Sequence, residues 1–235
     1  RRKDQNGNII YASYKSYLLE KQISEQILRL VISFSPSEKL EQLTKADMRL
    51  GRGVEPSNEQ LSAVNNVINN GVSVITGGPG TGKTTMVLGL VRALKSLNLS
   101  ITLCAPTGKA AKRLGEATGL QKFNPSTIHM HLLETVKQKA FSYDVMIVDE
   151  ASMVDAGLLH NLLATIPDGA RLVLIGDKNQ LPPVAEGQPF KDIINLIEAH
   201  ENHISEEVRI KPEEGVSGIV SAAYDVITGV EPDPC

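Results

Sequence analysis

The sequence has few cysteines and no long apolar run. Only two of its 235 residues are cysteine: Cys104, inside the apolar run ITLCA, and Cys235, the last residue. Two such cysteines do not make a disulfide framework, so we expect a reducing, cytoplasmic compartment. No apolar stretch is long enough to span a bilayer, and no signal peptide is present, so we expect no membrane partner.

The sequence also lacks a strong excess of charge of one sign. It has 24 Lys and Arg against 27 Asp and Glu, which gives a net charge of −3. A chain with this charge does not hold nucleic acid through a global field, so any such binding needs local contacts. The length suffices for one large domain, or for one domain with an appendage. Because the chain starts RRKDQ without Met, we expect it to be a piece of a longer protein.

The sequence pattern changes near Pro56, from helices alone to short apolar runs that alternate with helices. Residues 13–50 contain two stretches in which charged residues alternate with Leu and Ile, which predicts helices, and we assign 1–55 to an N-terminal helical segment. The Gly/Pro-rich break GRGVEPSN follows. From 56 to 235, the short runs VSVI, ITLCA, VMIVD and RLVLIGD alternate with helical patterns. This alternation predicts a layered α/β domain built on parallel strands.

Each of these runs ends in residues suited to ligand chemistry. The endings are TGGPGTGKTT, APTGK, DE and GDKNQ. In an open parallel sheet, ligands bind at the carboxyl ends of the strands. We therefore expect all four loops to lie along one edge of the sheet.

The first loop fits the phosphate-binding pattern G-x4-GK[ST], which begins at Gly77. Its glycines let successive N–H groups face one point, and the helix that opens there adds its positive dipole end. Lys83 can reach the β- and γ-phosphates, and the Thr84 hydroxyl can hold Mg²⁺. The predicted nucleotide-binding residues are Gly78, Gly80, Thr81, Gly82, Lys83, Thr84 and Thr85.

Two acids and one glutamine complete the predicted nucleotide site. Asp149, at a strand end, suits Mg²⁺, and its neighbour Glu150 can polarise a water for attack on the γ-phosphate. An acidic pair that caps a strand into solvent is the alternative, and the upstream phosphate loop favours the catalytic interpretation. Gln60 lies three residues after Ser57 at a helix start. The residues leave two roles open for it: a capping box, or recognition of the adenine edge.

Taken as a set, the motifs identify a family. ITGGPGTGKTT, LCAPTGKAAKRL, STIH, VDEASMVD and IGDKNQLPPVAEG occur in this order within 56–235. Together they resemble the first motor domain of the RecD-type (RecD- and TraA-like) superfamily 1 DNA helicases, the family of the exodeoxyribonuclease V alpha subunit. The resemblance implies a RecA-like parallel sheet with helices on both faces. It also implies ATP and Mg²⁺ as cofactors, with 5′-to-3′ movement on single-stranded DNA in repair or recombination.

The resemblance also implies roles for individual residues. It favours adenine recognition at Gln60, and it makes Gln180 a sensor of the γ-phosphate that links the nucleotide to the DNA side. Arg209 takes the place of an arginine finger, although Ile210 stands where the family usually has Gln. The implied contacts to the DNA backbone are Pro106, Thr107, Gly108, Lys109, Thr127 and His129. A helix with a solvated basic face, including Lys112 and Arg113, is the alternative for part of this set.

The sequence also bears on other functions of phosphate-loop proteins. A GTPase would need an N-K-x-D guanine reader, and GDKNQ is not one. A non-catalytic nucleotide-binding subunit of a larger nuclease–helicase complex remains the alternative, and other subunits of such a complex are possible partners. No metal cluster suited to DNA cleavage is visible in the sequence. The second motor domain is expected to lie beyond this chain, so the chain alone should hydrolyse ATP weakly and should not unwind DNA.

Overall fold

The structure is a computed structural model that describes residues 2–3, 9–10, 13–35, 58–78, 83–118, 125–138, 142–195 and 197. Its helices are α1 (Tyr14–Ser33), α2 (Asn58–Asn69), α3 (Lys83–Ser96), α4 (Gly108–Thr118), α5 (Ile128–Gln138) and α6 (Ala156–Leu163), with a 3-10 turn at Ala151–Met153. Its strands are β1 (Arg2–Lys3), β2 (Ile9–Ile10), β3 (Val72–Thr76), β4 (Ile101–Ala105), β5 (Ser126–Thr127), β6 (Val145–Val148) and β7 (Arg171–Gly176). Residues 189–195 are also helical.

Five strands form one parallel sheet in the order β3-β7-β6-β4-β5. The two-residue strands β1 and β2 pair with each other in antiparallel fashion. In the large sheet, the carboxyl ends of β3, β7, β6 and β4 all lie at one edge, because every pairing is parallel. The predicted parallel α/β fold is confirmed, and so is the common edge for the four loops.

Alternation along the central strands divides the core into two layers. Met146 and Val148 of β6 face a cluster that includes Leu159 and Leu162 of α6. The intervening Ile147 faces a second cluster, which contains residues of α2 and α3 and Leu114 of α4. Successive side chains of a strand point to opposite faces, so a strand covered on both faces must be apolar at every position. The runs VMIV and RLVLIG are buried throughout for this reason.

Some elements could not be predicted from local patterns. Strand β5 is only two residues long, and the sequence marked it solely as part of the motif STIH. It pairs with the end of β4, where Ala105 lies opposite Thr127. The first helix predicted within 13–50 is present as α1. The second helix, like the predicted domain boundary near Pro56, lies outside the described residues.

Helix α1 packs into the same core as the sheet. Ile23 and Leu30 are fully buried in the cluster that contains the apolar face of α6. Just beyond the end of α1, the Phe34 ring lies 4.7 Å from the guanidinium carbon of Arg171, the first residue of β7. The helix therefore contributes core side chains and does not merely lie on the surface.

Arg29 fastens α1 to the end of α6. Its Nη2 donates hydrogen bonds to the carbonyl oxygens of Leu163 and Ile166, each at 3.0 Å. Its Nη1 pairs with the carboxylate of Asp168. A helix leaves its last carbonyls without partners inside the helix, and a cation at that end is favourable. Arg29 supplies both the hydrogen bonds and the charge.

Gly71, just before β3, lies in close contact with the end of α1. A Cβ at this position would clash with the carbonyl oxygen of Leu30 and would lie 2.8 Å from Cβ of Phe34. We expect Gly71→Ala to lower the free energy of unfolding by about 1–3 kcal/mol, since the backbone must shift to make room. Native-state hydrogen exchange of the full-length protein measures this change at the amides of β3 and β7.

A matched control is available for this substitution. A Cβ added at Gly108 meets no atom within 4 Å. Gly108→Ala should therefore change the free energy of unfolding by no more than about 0.5 kcal/mol. Equal losses for the two alanine variants would contradict the close approach of α1 at Gly71.

Among the helices that the structure describes, none combines the length and the apolar character needed to cross a membrane.

Candidate nucleotide and nucleic-acid site

The loops after β3 and β7 are held together at their first residues. The N–H of Gly77 donates to the carbonyl oxygen of Gly176 at 3.2 Å. The N–H of Lys178 donates to Oγ1 of Thr76 at 3.4 Å. These bonds continue the parallel ladder in which Thr76 lies opposite Gly176. The start of the phosphate loop and the start of the GDKNQ loop are therefore immediate neighbours.

Lys83 lies at the mouth of the phosphate loop. It is the first residue of α3, and its Nζ donates to the carbonyl oxygens of Gly77 and Gly78. These bonds hold the ammonium group next to the backbone at the start of the loop. Thr85 is exposed in the first turn of α3. Gly80, Thr81, Gly82 and the side chain of Thr84 lie outside the described part of the chain.

Asp149 follows β6 and is largely withdrawn from water. Its N–H donates to the carbonyl oxygen of Cys104 at 3.0 Å, and its Oδ1 accepts from the N–H of Glu150 at 2.9 Å. Burial raises the pKa of the Asp149 carboxyl, which the bond from Glu150 N–H partly offsets. The negative charge of Glu150 also raises this pKa, and the charges of Arg113 and Lys83 lower it. The carboxylate is therefore poorly solvated and lies in the field of one neighbouring anion and two cations.

This arrangement fits a magnesium ion better than a metal held by a protein cage. Among the described residues, no group of three or more His, Cys, Asp and Glu side chains is placed to hold a metal. Mg²⁺ is usually bound through one or two carboxylates together with substrate phosphates and water. A single desolvated carboxylate beside a phosphate loop meets that requirement.

Glu150 has an unusual backbone conformation. Its φ is 55°, in the left-handed region, which costs a non-glycine residue roughly 1–3 kcal/mol. The 3-10 turn follows at once, and the N–H of Met153 donates back to the Glu150 carbonyl oxygen at 3.0 Å. The backbone therefore turns sharply directly after Asp149. Strained residues of this kind are concentrated at functional sites.

The GDKNQ loop forms a tight turn that carries Gln180 towards the acids. Asp177 accepts from two backbone groups: the N–H of Asn179 at its Oδ1, at 2.9 Å, and the N–H of Gln180 at its carbonyl oxygen, at 3.1 Å. The side-chain oxygen of Gln180 accepts a hydrogen bond from the hydroxyl of Ser152. Ser152 lies three positions after Asp149, so this bond joins the two loops.

No role was predicted for Ser152 from the sequence. Its partner Gln180 is 28 positions away, and no local pattern reports a contact at that separation. Its place in the motif VDEASMVD, two positions after Glu150, was the available hint.

The far end of the same loop is fastened to α6. The N–H of Ala156 donates to the carbonyl oxygen of Glu186 at 3.1 Å. The next residue, Gly187, has φ of 90°, and a Cβ there would lie 2.8 Å from Cβ of Ala156. A side chain at 187 is excluded both by the conformation and by the space. The loop therefore contacts the segment 149–156 near each of its ends.

The predicted nucleic-acid residues lie at the ends of β4 and β5, which are adjacent strands. Oγ1 of Thr107 accepts from the N–H of Ala110 at 3.2 Å, and Oγ1 of Thr127 accepts from the N–H of Met130 at 3.1 Å. Each threonine therefore caps the helix that follows it. The N-termini of α4 and α5 therefore follow the ends of two adjacent strands.

Between α4 and α5 runs an open groove of about 640 Å³. Lys109 and His129 are exposed, and each is a sequence neighbour of a residue that lines the groove. Of the basic residues on α4, Lys112 lies 3.8 Å from Glu116, so part of its charge is offset locally. The residues that line the groove are Gly108, Ala111, Lys112, Gly115, Glu116, Pro125, Ser126, Thr127, Met130 and Glu134.

The remaining histidine of this region belongs to the core. His131 is only 2% exposed, and its Nε2 lies 3.3 Å from Oγ1 of Thr165. Burial lowers the pKa of this imidazole, and its ring meets Tyr143 edge to face. His131 thus packs α5 against α6 and has no access to a ligand at the groove.

Gln60 is half-buried in the first turn of α2. Ser57, the other member of its predicted capping box, is outside the described residues, and so is Arg209.

A parallel sheet with a phosphate loop after its edge strand, and with acids after a central strand, defines the class of P-loop nucleotide-binding domains. Comparison with known families agrees with this class, because the AAA domain family matches residues 55–222. The chain belongs to that family.

Individual relatives narrow the assignment. The chain is 44% identical over 142 residues to the ATP-dependent RecD2 DNA helicase of Deinococcus radiodurans, across 57% of this chain and 19% of that protein. It is 32% identical over 217 residues to the RecBCD enzyme subunit RecD of Mycolicibacterium smegmatis, across 80% of this chain and 38% of that subunit. The resemblance to RecD-type helicases is confirmed by these matches. The chain spans less than two fifths of either relative.

A solved structure of two coordinating Pif1 helicases that unwind forked double-stranded DNA is also similar. The match has a TM-score of 0.41 and 25% sequence identity, over 60% of this chain and 38% of that chain.

Proposed function

We propose that this chain is the ATP-binding motor domain of a DNA helicase that moves 5′-to-3′ along single-stranded DNA in repair or recombination. The observation that carries the proposal is a shared sheet edge. The phosphate loop follows β3, the acids follow β6, and the candidate nucleic-acid residues follow β4 and β5. A nucleotide and a nucleic-acid backbone would then bind to one rigid frame.

The described residues suit hydrolysis of a bound ATP. Lys83, with its ammonium at the phosphate loop, offsets negative charge on the β- and γ-phosphates. Asp149 would hold Mg²⁺ together with the Thr84 hydroxyl, and the ion would neutralise charge on the transferred phosphoryl group. Glu150 orients a water and accepts its proton as the oxygen attacks the γ-phosphorus and ADP leaves. Gln180, which is hydrogen-bonded to Ser152, would donate to the γ-phosphate.

The other predicted residues complete the proposed site. Gln60 would recognise the adenine, and Arg209 would stabilise charge on the transferred group. The glycines and threonines of the phosphate loop would donate backbone N–H groups to the phosphates.

The groove between α4 and α5 suits the backbone of a single strand. Two capped helix N-termini open beside one another, and helix N-termini bind phosphate through their free N–H groups and dipole. The exposed Lys109, next to the lining residue Gly108, adds one cation. Contacts of this kind hold phosphates without reading bases. Glu116 and Glu134, which line the groove, would repel phosphates from their part of it.

The relatives support partners and context for the full-length protein. One relative is named as a subunit of the RecBCD enzyme, so we include other subunits of a helicase–nuclease complex among the candidate partners. Cys104, a buried free thiol among the described residues, suits a cytoplasmic location.

The test is the ATPase activity of the full-length protein with and without single-stranded DNA. We expect single-stranded DNA to stimulate hydrolysis. We also expect a duplex with a 5′ overhang to be unwound in preference to one with a 3′ overhang. Equal activity with and without DNA would contradict the motor function and would favour a non-catalytic nucleotide-binding subunit.

Lys109→Ala should weaken DNA binding without changing the chemical step. We expect the DNA concentration for half-maximal stimulation to rise about 5- to 10-fold, with the maximal rate retained. The salt slope of single-strand binding should fall by about 0.7, the value for one lost phosphate contact. Fluorescence anisotropy with a labelled oligonucleotide at several salt concentrations measures both effects.

The control for this variant is Lys15→Ala. Lys15 is also an exposed lysine, but it lies on α1, away from the groove. An equal change of the salt slope in both variants would show that Lys109 makes no specific contact with the strand.

A further inference from the structure

We infer that Ser152 is a positioning residue that orients the carboxamide of Gln180, so that its nitrogen, not its oxygen, is presented to the nucleotide phosphate. The inference rests on the proposed function, since it assigns a role within the same ATP site. It is carried by the hydrogen bond from the Ser152 hydroxyl to Oε1 of Gln180.

The two partners differ sharply in exposure. Ser152 is 8% exposed, whereas Gln180 is an exposed residue. A buried hydroxyl that loses its partner is left without the water that would replace it, so the bond from Ser152 to the glutamine oxygen is favoured. An exposed glutamine without such an anchor would sample several rotamers.

The direction of the hydrogen bond decides which end of the carboxamide faces the ligand. A carboxamide has one acceptor oxygen and an NH₂ group with two donors. When the Ser152 hydroxyl donates to the oxygen, the NH₂ group is the end left for another partner. A phosphate oxygen accepts hydrogen bonds, so this orientation is attractive. The reversed orientation would place a carbonyl oxygen against an anion.

The surrounding backbone fixes the position of Ser152. A Cβ at Gly176 would lie 2.9 Å from the Ser152 nitrogen and 2.9 Å from Cζ of Phe190. The start of the 3-10 turn is thus packed directly against the end of β7. Ser152 cannot move away from Gln180 without disturbing this contact or the strained turn at Glu150.

The hydrogen bond between Ser152 and Gln180 also joins the GDKNQ loop to the turn at Glu150, the proposed general base. Ser152 lies two positions after Glu150, and the loop of Gln180 is fastened a second time where Glu186 accepts from Ala156. A displacement of Gln180 on loss of the γ-phosphate would be transmitted to the turn that positions Glu150. Ser152 is the side chain through which the two would act.

A double-mutant cycle in the full-length protein tests the inference. We expect Ser152→Ala to lower kcat for ATP hydrolysis about 10-fold and to change KM for ATP by less than about 2-fold. Gln180→Ala should lower kcat at least as much, and the double variant should match Gln180→Ala alone. Effects on kcat that multiply would overturn the inference, because Ser152 would then act independently of Gln180.

Two further variants keep the test decisive even if Ser152→Ala misfolds. Ser152→Thr retains the hydroxyl and should recover most of the activity that Ser152→Ala loses. Gln180→Glu leaves Ser152 intact and still accepts its hydrogen bond, but it presents an oxygen to the phosphate. We expect Gln180→Glu to be less active than Gln180→Ala, and the opposite order would overturn the inference whatever the fate of Ser152→Ala.

The control is Ser142→Ala, at an exposed serine outside this contact, which should leave kcat unchanged. A wild-type protein without ATPase activity would contradict the proposed function and the inference together. If single-stranded DNA stimulates the wild-type ATPase, but the effects of the two single substitutions on kcat multiply in the double variant, only the inference is contradicted and the proposed function stands.

Discussion

Replacing Glu150 with glutamine is expected to lower kcat for ATP hydrolysis in the full-length protein by about 10²- to 10⁴-fold, the usual contribution of a general base. The substitution removes the proton acceptor and keeps the size and shape of the side chain. Glutamine can also occupy the left-handed conformation at position 150 at a cost similar to that of glutamate. The phosphate loop and Lys83 are unchanged, so nucleotide should still bind.

Two measurements separate these effects. Steady-state hydrolysis gives kcat, and equilibrium binding of ATP and Mg²⁺ gives the affinity, which should change by less than about 3-fold. Glu25→Gln, at an exposed carboxylate on α1, is the matched control and should behave as wild type. A Glu150→Gln protein that still turns over at the wild-type rate would rule out this residue as the base.

Leu30→Ala should lower the free energy of unfolding by about 2–5 kcal/mol, the range for truncation of a buried leucine. Leu30 is fully buried in the cluster that α1 shares with α6 and β7. The truncation leaves a cavity at the point where α1 meets the sheet, and Gly71 allows the two backbones little room to close it. Native-state hydrogen exchange of the full-length protein measures the change amide by amide.

The neighbouring residue provides the control. Val31 is 50% exposed on the same helix, so Val31→Ala should cost less than about 0.5 kcal/mol. If α1 belongs to the same cooperative unit as the sheet, Leu30→Ala lowers the protection of amides in α6 and β7 as well as in α1. A loss confined to α1 would show that the helix folds as a separate appendage.

The sequence predicted the parts of the fold that have a local signature. The runs at Val145–Val148 and Arg171–Gly176 are apolar at every position because the sheet is covered on both faces, and this pattern is visible without a structure. The phosphate loop has a fixed spacing that its chemistry requires, so Lys83 could be assigned in advance. The placement of the loops after these strands at one end of the sheet then followed from the parallel arrangement of the strands alone.

The parts that escaped prediction depend on contacts between distant segments. Strand β5 is too short to show a period, and only its pairing with β4 makes it a strand. The bond of Ser152 to Gln180 and the docking of Arg29 onto α6 join residues far apart in the sequence. A single sequence contains no record of such pairs. The left-handed conformation of Glu150 was equally unpredictable, because glutamate has no preference for it.

The ladder that joins β4 to β6 has a mechanical consequence. The N–H of Asp149 donates to the carbonyl oxygen of Cys104, so one set of hydrogen bonds joins the end of β6, which carries the acids, to the end of β4, which leads to the groove. These two strand ends cannot slide past each other unless that ladder breaks. Under the proposed function, a DNA strand bound at the groove would therefore stay at a constant distance from the nucleotide throughout a catalytic cycle. Movement along the strand would then have to come from a part of the helicase outside this sheet.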